Sequence, residues 1–167
     1  LQFTEFLNLK LNISMRNIDE IDRKLLNILQ DNSRVTIREL SERLHLSTTP
    51  IHERIKKLEK NGYIKQYITL LDPKALGKKL TVFVSVSLSN HTKEVVDGFE
   101  AEVKKLPEVM ECYYVSGNWD FLLKVQCNDM EDYHNFVIHK FSVIKNITQF
   151  YSSFVMSESK QTYKYEL

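Results

Sequence analysis

Cysteine is scarce in this chain: Cys112 and Cys127 are the only two among 167 residues. Two thiols in apolar, strand-like runs make neither a disulfide framework nor a metal-ligand spacing, so both are expected as reduced core or near-core residues. With four glycines and three prolines, the sequence has no low-complexity segment and no internal repeat. It contains neither a GxxxxGK phosphate loop nor an HExxH metal motif, so no metal site and no cofactor are expected. No run approaches the ~18 apolar residues that a membrane-spanning helix needs, which points to a cytoplasmic protein with no membrane partner. Leu1–Ser14 carries apolar residues without a basic leader or a cleavage site, and is expected to be an extension ahead of a natural start at Met15. The formal charge of +1 is too near zero to name a partner.

How the charge is distributed says more. All six arginines (Arg16, Arg23, Arg34, Arg38, Arg43 and Arg54) lie in the first third of the chain. Between Arg16 and Lys65, eleven Lys and Arg oppose eight Asp and Glu, a local +3; from Leu80 onward, eight lysines oppose twelve acids, a local −4. A chain of this length holds one domain or two small ones, and the asymmetry suggests that only the N-terminal part meets a polyanion.

Helical spacing of Ile21, Leu25, Ile28 and Leu29 predicts a first helix from about Ile18 or Asp19 to Gln30, with Asp19, Glu20 and Asp22 favouring its start. Thr36-Ile37-Arg38-Glu39 fits a capping box and opens a second, short helix ending near His45. Ser47 offers the next cap, Pro50 falls in the first turn, and a third helix runs to about Asn61, closed by Gly62. A turn of about three residues between the second and third helices is the helix-turn-helix spacing. Tyr63–Leu71 reads as a short strand or wing, and Asp72–Gly77 as a linker.

Beyond the linker the period changes. Thr81–Leu88 alternates strictly, as a half-buried strand does. Helices are expected over Thr92–Leu106 and Met130–Phe141. Strands are expected over Val109–Ser116 and Phe121–Cys127, joined by a tight II′-type turn at Gly117-Asn118, and over Ile147–Met156, with room for a short strand after it. The order βαββαβ is ferredoxin-like, giving an α+β fold.

A helix in the major groove keeps its apolar side on its own domain and presents short polar groups at its leading end. With Ile51 and Ile55 turned inward, the third helix offers Thr49, His52, Glu53, Lys56, Lys57 and Lys60 on the opposite side. Ser47, Thr48 and Thr49 in its first turn suit phosphate oxygens or base edges, and the lysines suit backbone phosphates. Arg34 and Arg38 are placed to clamp the flanking phosphate. A lysine-rich solvated face on a protein-interaction module is the competing reading. An enzyme is not expected: His91, His134 and His139 have acids nearby, but no nucleophile, metal or phosphate-loop arrangement accompanies them.

These motifs carry a resemblance. Ile18-Asp19-Glu20-Ile21-Asp22-Arg23-Lys24-Leu25-Leu26, Arg38-Glu39-Leu40-Ser41, the run from Leu46 to Glu59, Gly62-Tyr63-Ile64, and the run from Tyr113 to Lys124 closely resemble the Lrp/AsnC family of leucine- and asparagine-responsive regulators. The likeness covers about Met15 to Lys160. It implies an extension at 1–14, a winged helix-turn-helix over 15–64, a wing and linker over 65–79, and a RAM domain for ligand binding and oligomerisation over 80–167. It also implies a sequence-specific, nucleoid-associated regulator of promoter DNA that forms homodimers, then tetramers or octamers, with an amino acid or related metabolite bound at RAM interfaces. Carried over by residue, the effector positions are Gly117, Asn118, Trp119, Asp120, Met130, Ser152, Ser153 and Phe154. Asp120 would accept from the effector's ammonium, and backbone N–H groups around Gly117 would meet its carboxylate. Asn118 stands where the family often has Asp, and Trp119 where it has Tyr or Phe. A chromatin-organising protein whose RAM domain only oligomerises is the alternative within the same family.

Overall fold

The computed structural model describes residues 18–167. The expected extension at 1–14 and the start at Met15 lie outside the described residues. The chain divides into two compact units, one comprising residues up to Thr69 together with Thr162–Leu167, the other Leu70–Gln161.

In the first unit, α1 (Glu20–Asp31), α2 (Ile37–Leu44) and α3 (Thr48–Lys60) pack around Leu25, Leu26, Leu40, Ile51 and Leu58. Helices α1 and α2 start where side chains supply their unpaired N–H groups. Asp19 accepts from the Asp22 N–H, while the Asp22 side chain accepts from the Asp19 N–H. Thr36 and Glu39 make the same reciprocal pair at α2, as the sequence predicts. Ser47 precedes α3, but its hydroxyl makes no capping hydrogen bond. The α2–α3 turn is His45, Leu46 and Ser47; His45 takes a left-handed conformation (φ 53°, ψ 41°), and the Ser41 hydroxyl donates to the Leu46 carbonyl. At the end of α3, the Tyr63 N–H reaches the Leu58 carbonyl and the Gly62 N–H reaches that of Glu59. That double closure needs a left-handed residue, here Gly62 at φ 78°.

The expected wing strand is not formed. Among the described residues, Tyr63–Leu71 belongs to no strand. A strand needs a partner's N–H and C=O groups, and among the described residues no segment pairs with it; Tyr67, Ile68, Leu70 and Leu71 stay exposed.

The second unit is a four-stranded antiparallel sheet built from β1 (Leu80–Leu88), β2 (Val109–Tyr114), β3 (Phe121–Cys127) and β4 (Ile147–Phe154), in the order β2-β3-β1-β4. With α4 (Lys93–Val103) and α5 (Met130–Phe136), this is the predicted βαββαβ arrangement. Both helices cover one side of the sheet. Val82, Val84, Val86, Leu88, Phe121, Leu123, Val125 and Cys127 point to them and meet Phe99, Val103, Tyr133, Phe136 and Phe141.

Two element ends and the burial of one cysteine differ from expectation. Helix α5 passes into a π-helical turn, Val137–Phe141, where the Ser142 N–H bonds the Val137 carbonyl. An α-helix rotates residues five apart by about 140°, which would bury only one of Phe136 and Phe141. The wider turn buries both, with ring centroids 5.6 Å apart. Strand β4 stops at Phe154, and no strand follows it among the described residues. Of the two cysteines, Cys127 is in the core, where burial pushes its thiol up to about 11, but Cys112 is exposed because β2 is an edge strand.

Candidate functional site

All nine residues assigned to DNA from the sequence, Arg34, Arg38, Ser47, Thr48, Thr49, His52, Glu53, Lys56 and Lys57, are solvent-exposed. They are presented by α2, α3 and the turns around them. Ile51 and Leu58, on the other side of α3, are buried against α1 and α2. Arg38 pairs with Glu42 at 3.1 Å on the surface of α2, a contact that a phosphate can displace at little cost.

Arg54 behaves differently from the other described arginines. A single guanidinium nitrogen, Nη1, donates to Asp19 Oδ2 at 2.6 Å and Asp22 Oδ1 at 2.7 Å, tying α3 to the start of α1. Asp22 is only 2% exposed. The Asp22 N–H, and then Arg54, hold the Asp19 carboxyl below its usual range. Arg54 is therefore not part of the free basic face, and the local excess of positive charge is structural at this position. At the end of α3, the Tyr67 hydroxyl donates to Glu59 at 3.1 Å, and burial together with that carboxylate pushes the phenol up to about 12.

In the second unit the tight hairpin turn gives way to a longer loop. The Val115 N–H bonds the Asp120 carbonyl at 2.8 Å, enclosing Ser116–Trp119. Gly117 sits at φ 127°, open only to glycine; the space where a Cβ would lie is empty, so the demand is conformational. Among the described residues, the N–H groups of Gly117, Asn118 and Trp119 have no acceptor.

Asp120 is the anchor of this loop. Its N–H donates to the Val86 carbonyl at 2.9 Å, its Oδ2 accepts from the Leu88 N–H at 2.8 Å, and its Oδ1 lies 2.6 Å from His91 Nε2. The Leu88 N–H, and then His91, hold the carboxyl below its usual range against the opposing effect of burial. His91 follows β1 in the chain and reaches Asp120 across 29 positions; no local pattern announces the pair.

The other four positions expected to bind an effector, Met130, Ser152, Ser153 and Phe154, lie elsewhere. Strand register puts Ser152 opposite Val84 and Phe154 opposite Val82, while Asp120 sits beside Leu88. Met130 follows β3 at the far end from the loop. With seven residues in β3, the two ends are about 20 Å apart. Ser152 faces the helices and shares a 2.6 Å hydrogen bond with the Tyr133 hydroxyl; Phe154 meets the Tyr133 ring edge-on at 5.4 Å. Ser153 points to the sheet's uncovered side. Tyr133, which organises this end, was not singled out in the sequence; its place among the apolar positions of a helix gave no sign of a hydroxyl partner on β4.

Comparison with known proteins agrees with both units. Residues 18–65 match the family model for a winged helix-turn-helix DNA-binding domain, and residues 81–165 match that for the Lrp/AsnC ligand-binding domain. The chain is 39% identical over 147 residues to the leucine-responsive regulatory protein of Salmonella typhimurium, covering 88% of this chain and 90% of that one. A transcriptional regulator from Neisseria meningitidis, solved as a complex with L-Met, superposes with a TM-score of 0.83 at 37% identity, covering 88% of this chain and 95% of that one. An AsnC family regulator from Agrobacterium tumefaciens gives 0.83 at 38% identity, covering 89% and 96%. These are regulators, not enzymes, and the protein belongs to the Lrp/AsnC family of DNA-binding transcriptional regulators.

Proposed function

We propose that α3 reads double-stranded promoter DNA in the major groove, in the cytoplasm and in association with the nucleoid. Ser47, Thr48 and Thr49 lead, His52 and Glu53 meet base edges, Lys56 and Lys57 meet phosphates, and Arg34 and Arg38 hold the flanking backbone. The observation that carries this reading is the exposure of all nine polar residues on a helix-turn-helix whose apolar side is occupied by its own core. Replacing Lys56 and Lys57 together with alanine is expected to weaken binding to all sequences alike. It should also reduce the slope of log K against log salt by roughly 1.8, since each phosphate contact contributes about 0.9. Fluorescence anisotropy over a salt series checks this; an unchanged slope moves the phosphate contacts elsewhere.

The second unit is read as the sensor for an amino acid or a related metabolite. Support comes from the relative named leucine-responsive and from the neighbour solved with L-Met. Asp120 offers a carboxylate to an α-ammonium, and the open N–H groups of Gly117, Asn118 and Trp119 suit an α-carboxylate. Because Met130 and Phe154 lie at the other end of the sheet, a pocket holding both groups is assembled between copies of the chain. The uncovered side of the sheet, with Phe83, Leu122, Tyr113 and Tyr151, is the face proposed to pair two protomers, which then build tetramers or octamers. A thermal-shift screen against the twenty amino acids tests the sensor. The true effector is expected to stabilise the protein by about 2.7 kcal/mol at a hundredfold excess over Kd. No shift with any amino acid would leave a DNA-binding regulator without an amino-acid effector.

A further inference from the structure

The C-terminal residues Thr162–Leu167 group with the helix-turn-helix unit, although the strand that leads to them, β4, belongs to the ligand-binding unit. What holds them is the last turn of α1. The Gln30 side-chain amide clamps the main chain of Tyr165 from both sides: its Nε2 donates to the Tyr165 carbonyl at 3.1 Å, and its Oε1 accepts from the Tyr165 N–H at 2.7 Å. Asn27 Oδ1, one turn earlier, accepts from the same Nε2 and so fixes which way the amide faces. Beside it, Lys164 Nζ reaches Asp31 Oδ1 at 2.5 Å, and the Lys164 N–H bonds the Thr162 hydroxyl. The Tyr165 residue stays 77% exposed, so the clamp reads backbone rather than side chain, as an added strand does.

The geometry points to a docking site for the chain's own C-terminal segment at the end of α1, which makes that segment a second tether between the sensor and the DNA-binding unit. Between Phe154, the last residue of β4, and Thr162 lie seven residues. Fully extended, that span reaches roughly 28 Å, so a docked tail limits how far the two units move apart and how freely they reorient. The linker after Ile64 does this on one side of the ligand-binding unit's chain, and the tail does it on the other. Strand β4 carries Ser152, Ser153 and Phe154, so a change at those positions is relayed along the chain to α1 without passing through the linker. The contacts are solvent-exposed, which makes docking weak and reversible, as a releasable strap requires.

Hydrogen exchange and backbone NMR relaxation on the full-length protein test this. The Tyr165 amide is expected to exchange at least about tenfold more slowly than an unstructured amide. Gln30→Ala should bring it to the unstructured rate, with α1 intact because alanine favours helix. Gln30→Glu, which keeps the acceptor and loses the donor, should fall between. In Gln30→Ala the DNA-binding unit should also tumble more independently of the ligand-binding unit. Exchange at the unstructured rate in the unaltered protein, or protection that survives Gln30→Ala, overturns the docking site. Release of the tail with no change in tumbling overturns the tether.

Discussion

Replacing Arg54 with alanine is expected to destabilise the DNA-binding unit by about 3 kcal/mol. One guanidinium nitrogen serves both Asp19 and Asp22, at 2.6 and 2.7 Å, and Asp22 is almost completely shielded from water. Without Arg54 a carboxylate remains buried near the junction of α1 and α3 with no cation to balance it. The partial exposure of the Arg54 side chain, 27%, places the cost at the lower end for a broken buried pair. A unit of about 50 residues has only roughly 2.5–7.5 kcal/mol to lose, and its buried apolar core is five residues. Urea unfolding followed by far-UV circular dichroism should show the helical signal of this unit melting early. Arg54→Ala combined with Asp22→Asn should recover a large part of the loss, because the stranded charge is gone. A cost below about 1 kcal/mol for Arg54→Ala alone would mean that water already screens the pair.

The Asp19 carboxyl, held by the Asp22 N–H and then by Arg54, makes the unit acid-sensitive in a defined direction. Asp19 has a folded pKa below its usual value, so the stability it contributes is present above the ordinary carboxylate range and is lost as pH falls through the folded value. Arg54→Ala should flatten part of that acid limb. DNA affinity would fall as well, but through the folded fraction: the salt slope of what still binds should match the unaltered protein, unlike the slope after removal of Lys56 and Lys57.

Where local rules govern, the sequence was enough. Thr36 and Glu39 spell a capping box, Gly62 supplies the left-handed residue that ends α3, and strict alternation over Thr81–Leu88 gives a strand with one face buried. Contacts distant in sequence were not legible. Asp19 and Asp22 look like ordinary helix-start acids, and Arg54 looks like one more cation on a basic helix, until folding brings them together. His91 and Asp120 are separated in the same way. Tyr63–Leu71 alternates weakly, as a short strand does, but alternation says nothing about whether a partner strand exists. The π turn after α5 left one trace: Phe136 and Phe141, five apart, are both apolar, a spacing that a straight α-helix cannot turn to one core. The resemblance pointed to eight effector positions, but could not show that one chain holds them at two ends of a sheet.

Removing the charge of Asp120 is expected to abolish the response to an amino acid while leaving DNA binding without it largely intact. The two oxygens do different work. Oδ2 holds the Leu88 N–H, a local structural task, and Oδ1 points to the exposed His91, where an ammonium can approach. Asp120→Ala loses both functions and should also cost about 1–2 kcal/mol, the penalty of an unsatisfied, partly buried N–H. Asp120→Asn separates them, since its amide oxygen can still accept from Leu88. In a thermal-shift titration the unaltered protein should gain about 2.7 kcal/mol at a hundredfold excess of effector over Kd, and Asp120→Asn close to none. Its acid limb should also be weaker: the depressed carboxyl contributes stability above the ordinary carboxylate range that is lost as pH falls through the folded value, and asparagine has none to lose. A full response from a folded Asp120→Asn protein would place the ammonium away from this loop, leaving Asp120 as the residue that pins the loop to β1.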